Sequence, residues 1–91
     1  MPVRVEFYGI PRLRAGAAET LVVIEGDQIA LGDILQELAH HFPGLAGECI
    51  EGRQLRHGYA ANVDGQRFVN DPDTLLSPDH CLLIMSADAG G

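Results

Sequence analysis

The side chains that could do chemistry in this sequence are few, and their spacing excludes most of what they might do. His40 and His41 are neighbours, and adjacent residues on a helix point about 100° apart. They therefore cannot share a metal as an i, i+4 histidine pair does, and they read as a solvated helix end. His57 and His80 have no cysteine or carboxylate at ligand spacing, so no metal is expected. Cys49 and Cys81 stand 32 positions apart, too far for a C-x-x-C redox pair or a zinc knuckle. Cys81 opens an apolar run and reads as a buried small hydrophobe. For Cys49 exposure is left open, with only Arg53 nearby in sequence to stabilise a thiolate. Asp71-Pro72-Asp73 lacks the bend glycine and distal glutamate of a calcium loop and reads as a turn. Ser77 and Ser86, the only serines, have no nucleophile elbow around them.

All six basic residues are arginines (Arg4, Arg12, Arg14, Arg53, Arg56, Arg67), and lysine is absent. A phosphate-binding G-x-x-x-x-G-K loop, an S-x-x-K nucleophile and a Schiff-base lysine are thereby excluded. What remains is the end of the chain. The apolar run Cys81-Leu82-Leu83-Ile84-Met85 gives way to Ser86-Ala87-Asp88-Ala89-Gly90-Gly91, small or polar residues closing on two glycines. Frayed ends tolerate any residue, so the doublet alone assigns no role.

The elements that would carry such an end follow from periodicity. Val3, Val5 and Phe7 alternate with Arg4, Glu6 and Tyr8, which predicts a half-buried strand. Gly9 and Pro11 break it, and Ile10 to Ala18 reads as a loop holding Arg12 and Arg14. Thr20 to Ile24 has the β-branched density of a second strand, making a hairpin with a long turn. Leu31, Ile34, Leu35, Leu38 and Phe42 then fall on one face of a helix, with Asp33, Glu37, His40 and His41 on the other. Ala30 is a poor cap for that helix, and Asp27 or Asp33 is expected to compensate. Beyond the helix, the segment from Gly44 to Gly58 is glycine-punctuated, with one short helical turn expected around Glu48 to Glu51. Asp64-Gly65 between short extended runs predicts a hairpin. Leu75 and Leu76 form a small apolar anchor in a turn-rich segment, and the final run reads as a strand in the middle of the sheet, buried on both faces.

Ninety-one residues suit one domain, here residues 1–85 with a flexible tail at 86–91. Thirteen acidic residues against six basic ones give a net charge of −7, which repels a phosphate backbone, so no nucleic-acid partner is expected. No apolar run approaches the roughly 18 residues needed to cross a bilayer, and the amino end lacks the apolar core and cleavage site of a secretion signal. The expectation is a cytoplasmic protein without a membrane partner. The element order defines an α+β roll, with one helix covering one side of a mixed sheet.

With these pieces in place, the chain resembles the β-grasp, ubiquitin-like sulfur carriers: the small subunit of molybdopterin synthase and the carriers of the thiamine and cysteine pathways. The residues that carry the resemblance are VRVEFYGIPRLRAG at the start, LGDILQELAHHFPGL for the helix, ANVDGQRF for the hairpin, DTLLSPDHCLLIM for the last turn and strand, and the terminal Gly90-Gly91. The segment ECIEGRQLRHGYAANVDG looks like the insertion of the longer members and favours the cysteine-type or archaeal-type branch. Ala30 stands where such carriers usually have threonine or serine.

The resemblance implies a protein co-substrate that binds no cofactor of its own. Its partners would be an ATP-dependent activating enzyme and then a sulfur-accepting synthase or large subunit. Gly91 would carry the reacting carboxylate, adenylated and then converted to a thiocarboxylate. Gly90 would give clearance in a narrow channel, since glycine has no Cβ, and Ser86 to Ala89 would supply reach. In such carriers the sheet surface opposite the helix docks the activating enzyme, which makes Arg4, Tyr8 and Phe68 the expected contact residues. The alternatives are a small subunit held stably in a molybdopterin-synthase-like complex and a ubiquitin-like modifier. Without lysine the chain cannot be polymerised through its own side chains.

Overall fold

The computed structural model describes residues 1–87. Strand β1 (Pro2–Phe7) buries Val3, Val5 and Phe7 and turns Arg4 and Glu6 the other way, as a period of two requires. It is followed by α1 (Ile10–Ala15), β2 (Glu19–Val23), β3 (Ile29–Ala30), the main helix α2 (Leu31–His41), β4 (Ile50–Glu51), β5 (Gln54–Leu55), β6 (Tyr59–Val63), β7 (Arg67–Val69), β8 (Leu75–Leu76) and β9 (Cys81–Ser86). Five strands form one mixed sheet in the order β2-β1-β9-β6-β7. The last strand is thus the middle one, as the apolar run predicted. It lies parallel to β1, with Arg4 opposite Cys81 and Phe7 opposite Ile84, and antiparallel to β6. β3 pairs with β8, and β4 with β5, as small separate ladders.

Leu31, Ile34, Leu35 and Leu38 of α2 join Val3, Val5, Phe7, Ala61, Val63, Leu82 and Ile84 in one core between helix and sheet. Burying each of the larger side chains contributes on the order of 1.5–3 kcal/mol, which is why the periodic positions dictate the fold. The β6–β7 hairpin turns at Asp64 (φ 59) and Gly65 (φ 71), the left-handed pair expected of an Asp-Gly turn. Asp64 also accepts a 2.8 Å hydrogen bond from the Cys81 amide, tying the turn to the start of β9.

Several sequence expectations change. The segment after β1 is a six-residue helix, not a loop. Pro11 pre-sets its first turn, and Gly16 (φ 73) ends it by donating to Arg12 O. So short a helix has little stability of its own, and α1 persists because it packs against β9. The start of α2 is capped neither by Asp27 nor by Asp33: the Leu31 and Gly32 amides donate to Thr74 O and Pro72 O at 2.8 Å, so the segment before β8 does the work of a side-chain cap. No helical turn forms at Glu48 to Glu51; turns lead into the β4–β5 hairpin instead. Arg53 holds that hairpin to the start of α2 through Asp33 and Asp73, each at 3.4 Å.

The expectation that β9 is buried on both faces is also corrected. Leu82, Ile84 and Ser86 face α2 and are buried, whereas Cys81, Leu83 and Met85 alternate with them and are only half-buried. A single main helix covers one face of the sheet and leaves the other open.

Candidate functional site

The end of β9 is held from two sides. Ser86, 5% exposed, accepts a hydrogen bond from the Ile10 amide at 3.2 Å, so its hydroxyl satisfies one of the free N–H groups at the start of α1. Tyr8 N donates to Ile84 O at 2.9 Å, and Ala87 N donates to Gly58 O at 2.7 Å. Ser86 was expected to begin the arm, yet it belongs to the strand, because its hydroxyl has a partner inside the fold. Gly90 and Gly91, on which the expected chemistry rests, lie with Asp88 and Ala89 outside the described residues.

The second feature is the sheet face away from α2. Register places Glu19 (β2), Glu6 (β1), Leu83 (β9), Asn62 (β6) and Phe68 (β7) in one row across all five strands. Leu21, Arg4 and Cys81 form the neighbouring row on three of them. Of the expected contact residues, Phe68 is 70% and Tyr8 40% exposed, and Arg4 is also exposed. The structure therefore brings Arg4, Tyr8 and Phe68 to one face.

Arg4 is not a free cation there. Its guanidinium pairs with Glu6 at 3.0 Å and Glu19 at 3.2 Å. The Tyr8 hydroxyl donates to the other oxygen of Glu6. That hydrogen bond, with smaller help from Cys81 and Arg4, holds the Glu6 carboxyl below its ordinary range, and Glu6 in turn pushes the Tyr8 hydroxyl up. Cys81 beside them is pushed up to about 11, first by burial and then by the Glu6 charge. The cluster keeps its carboxylate ionised and its thiol protonated, an arrangement suited to recognition and unsuited to nucleophilic attack.

The structure settles the exposure left open for Cys49 and corrects the burial expected of Cys81. Cys49 is fully buried, its thiol pushed up by that burial, and Cys81 is the one on the open face. Among the described residues no three His, Cys, Asp or Glu side chains gather as metal ligands. A cleft of about 540 Å³ between α2 and the β6–β7 hairpin is lined by Leu31, Leu35, Leu55, Tyr59 and Val69, with no acid or base other than Tyr59.

Sequence reasoning missed Asn62 and the anchoring role of Ser86. Asn62 alternates with the buried Ala61 and Val63, which places it on the open face, but its burial there depends on which strands lie beside it. The Ser86 partner is 76 positions away and leaves no local signal.

The chain matches no protein-family model and no curated protein. It is similar to solved structures over nearly its whole length. SAMP1 of Haloferax volcanii superposes with a TM-score of 0.82 at 17% identity, covering all of both chains. A putative molybdopterin converting factor, subunit 1, of Pyrococcus furiosus gives 0.75 at 18% identity, over 94% of this chain and 97% of that one. The small archaeal modifier protein 1 of Methanosarcina acetivorans gives 0.69 at 22% identity, over 99% and 96%. At these identities the likeness is one of fold, and the chain accordingly has the β-grasp, ubiquitin-like fold of the small archaeal modifier proteins and of a molybdopterin converting factor subunit.

Proposed function

We propose that this chain is a sulfur carrier whose Gly91 carboxylate is the reacting group. The observation that carries the reading is the double anchoring at the end of β9. Four residues after the last anchored one, Ala87, the sequence ends on Gly90-Gly91. A rigid body ending so close to a carboxylate without neighbouring side-chain bulk suits delivery of that carboxylate into a partner's narrow active site. In the reaction, a Gly91 carboxylate oxygen attacks the α-phosphorus of ATP on an activating enzyme and pyrophosphate leaves. Sulfide (HS⁻) then attacks the carbonyl carbon of the acyl-adenylate and AMP leaves, giving a thiocarboxylate; transfer of that sulfur to an acceptor synthase, with water supplying the oxygen, restores the carboxylate. The chain acts as a co-substrate; ATP belongs to the enzyme.

The open face, with Tyr8, Phe68 and the Arg4–Glu6–Glu19 cluster, is the surface we assign to the activating enzyme. A net charge of −7 steers the chain toward the cationic surround of an ATP site. The similarity to a putative molybdopterin converting factor subunit favours a second reading, a small subunit held stably by a catalytic partner. The similarity to small archaeal modifier proteins favours a third, a modifier attached to other proteins. Purification from the native cell separates them: a stoichiometric larger subunit supports the second, and covalent adducts the third.

The test is intact-protein mass spectrometry after incubation with the cognate activating enzyme, ATP and a sulfur donor. The expected product carries one sulfur in place of one oxygen at the C-terminus. The Gly91-deleted chain should melt like the full chain and gain no sulfur; full sulfur transfer by that variant removes the reading.

A further inference from the structure

On the open face, one polar side chain is buried without a partner. Asn62 is 6% exposed, and its Oδ1 has no hydrogen-bond partner among the described residues. It sits in the cross-sheet row between Leu83 and the 70% exposed Phe68. A buried carbonyl oxygen left unpaired is a cost to the free chain, and an apolar side chain at that point of the sheet would avoid it. Along the same row, past Leu83, lie the carboxylates of Glu6 and Glu19. They are only partly neutralised by the single arginine between them, in a chain of net charge −7.

We propose that Asn62 is the specificity-determining residue of the docking face, accepting a hydrogen bond from an arginine of the activating enzyme that enters between Leu83 and Phe68. The inference rests on the carrier reading above. A guanidinium fits this row on three counts. It carries N–H donors for the Asn62 carbonyl, and the Glu6 carboxylate, two strands away at roughly 10 Å, adds longer-range attraction to its charge. Its charge complements the excess of carboxylate on the face and in the whole chain. Its flat apolar surfaces stack on an aromatic ring, and Phe68 stands exposed beside the amide. A half-turn about the Cβ–Cγ bond exchanges Oδ1 with Nδ2 without changing the outline of the side chain, so the carbonyl can turn to the incoming donor. The Asn62 carbonyl is thus paired in the complex and unpaired in the free protein, with Nδ2 taking the inner position on the turn. Partners that present a purely apolar surface to this row leave the carbonyl unpaired, and partners that present a carboxylate meet the repulsion of Glu6, Glu19 and the net charge of −7.

The experiment uses the full chain and its cognate activating enzyme, with ATP–pyrophosphate exchange followed as a function of carrier concentration. Asn62→Leu should melt at or above the wild-type temperature, since it removes an unpaired polar group. It should also raise the KM for the carrier about tenfold or more, the effect of losing a hydrogen bond to a charged group, with kcat unchanged. Asn62→Asp should keep or lower that KM, most clearly at low salt, because a carboxylate pairs with arginine more strongly than an amide does. A lower melting temperature for Asn62→Leu, or a wild-type KM, overturns the proposal; a KM for Asn62→Asp raised as far as that of Asn62→Leu overturns the arginine. Wild-type exchange is the control. Its absence refutes the carrier reading, whereas wild-type exchange with undiminished Asn62→Leu exchange refutes the role of Asn62 alone.

Discussion

Replacing Ser86 with alanine tests the anchor at the end of β9. The Ser86 hydroxyl is the partner of the Ile10 amide at 3.2 Å, and the serine is 5% exposed. Alanine removes the acceptor and leaves that N–H to find water from the partly exposed side of α1. The cost of such an orphaned donor runs from about 1 to 3 kcal/mol, and partial access to water puts this site at the lower end, about 1 kcal/mol. For a domain of this size, that lowers the melting temperature by about 4–8 °C. The loss should be local. Hydrogen exchange should accelerate in α1 and at Ala87, while β1, β6 and the body of β9 keep their protection, since their ladders are untouched. Leu13→Ala on the exposed side of the same helix is the control and should change stability by less than about 0.5 kcal/mol. An unchanged melting temperature with unchanged exchange in α1 would mean that Ser86 only fills space. Ala87 would then be tethered by backbone pairing alone.

Two further outcomes follow from the open face. Tyr8→Ala and Phe68→Ala should leave the fold intact, each within about 1 kcal/mol of wild type by denaturant unfolding, and weaken docking to the activating enzyme; unfolding instead would put these side chains in the core. Alkylation of Cys81 by iodoacetamide should be slow at neutral pH and climb as pH approaches about 11, where its thiol ionises, while Glu6→Gln should bring the climb to lower pH by removing a carboxylate that opposes the thiolate. An ordinary thiol profile in the wild-type chain would refute the burial of Cys81 and the opposing Glu6 charge together.

The acidic cluster shows why part of the site was legible and part was not. Alternation in Val3-Arg4-Val5-Glu6-Phe7 already assigns Arg4 and Glu6 to the face opposite the core, because side chains of a strand alternate whatever its neighbours are. That Arg4 is shared by Glu6 and Glu19 requires β2 to lie antiparallel to β1 with Glu6 opposite Glu19, a matter of register. The half-burial of Cys81 has the same origin. An apolar run such as Cys81 to Met85 reads as buried on both faces, but one helix can cover only one of them.

Local periodicity therefore determined what depends on a residue and its near neighbours: the strand at Val3 to Phe7, the helix from Leu31, the Asp64-Gly65 turn and the central place of the last strand. The absence of lysine likewise excludes from sequence alone the chemistries that need one. Tertiary structure decided whatever joins distant segments. It stabilises a six-residue helix too short to nucleate by itself. It caps α2 with carbonyls from residues 72 and 74. It seats the Ser86 hydroxyl under the Ile10 amide and buries the Asn62 carbonyl in a row drawn from five strands. Such contacts depend on loop closure and strand register, which arise from the packing of the whole chain and leave no period in the residues that make them.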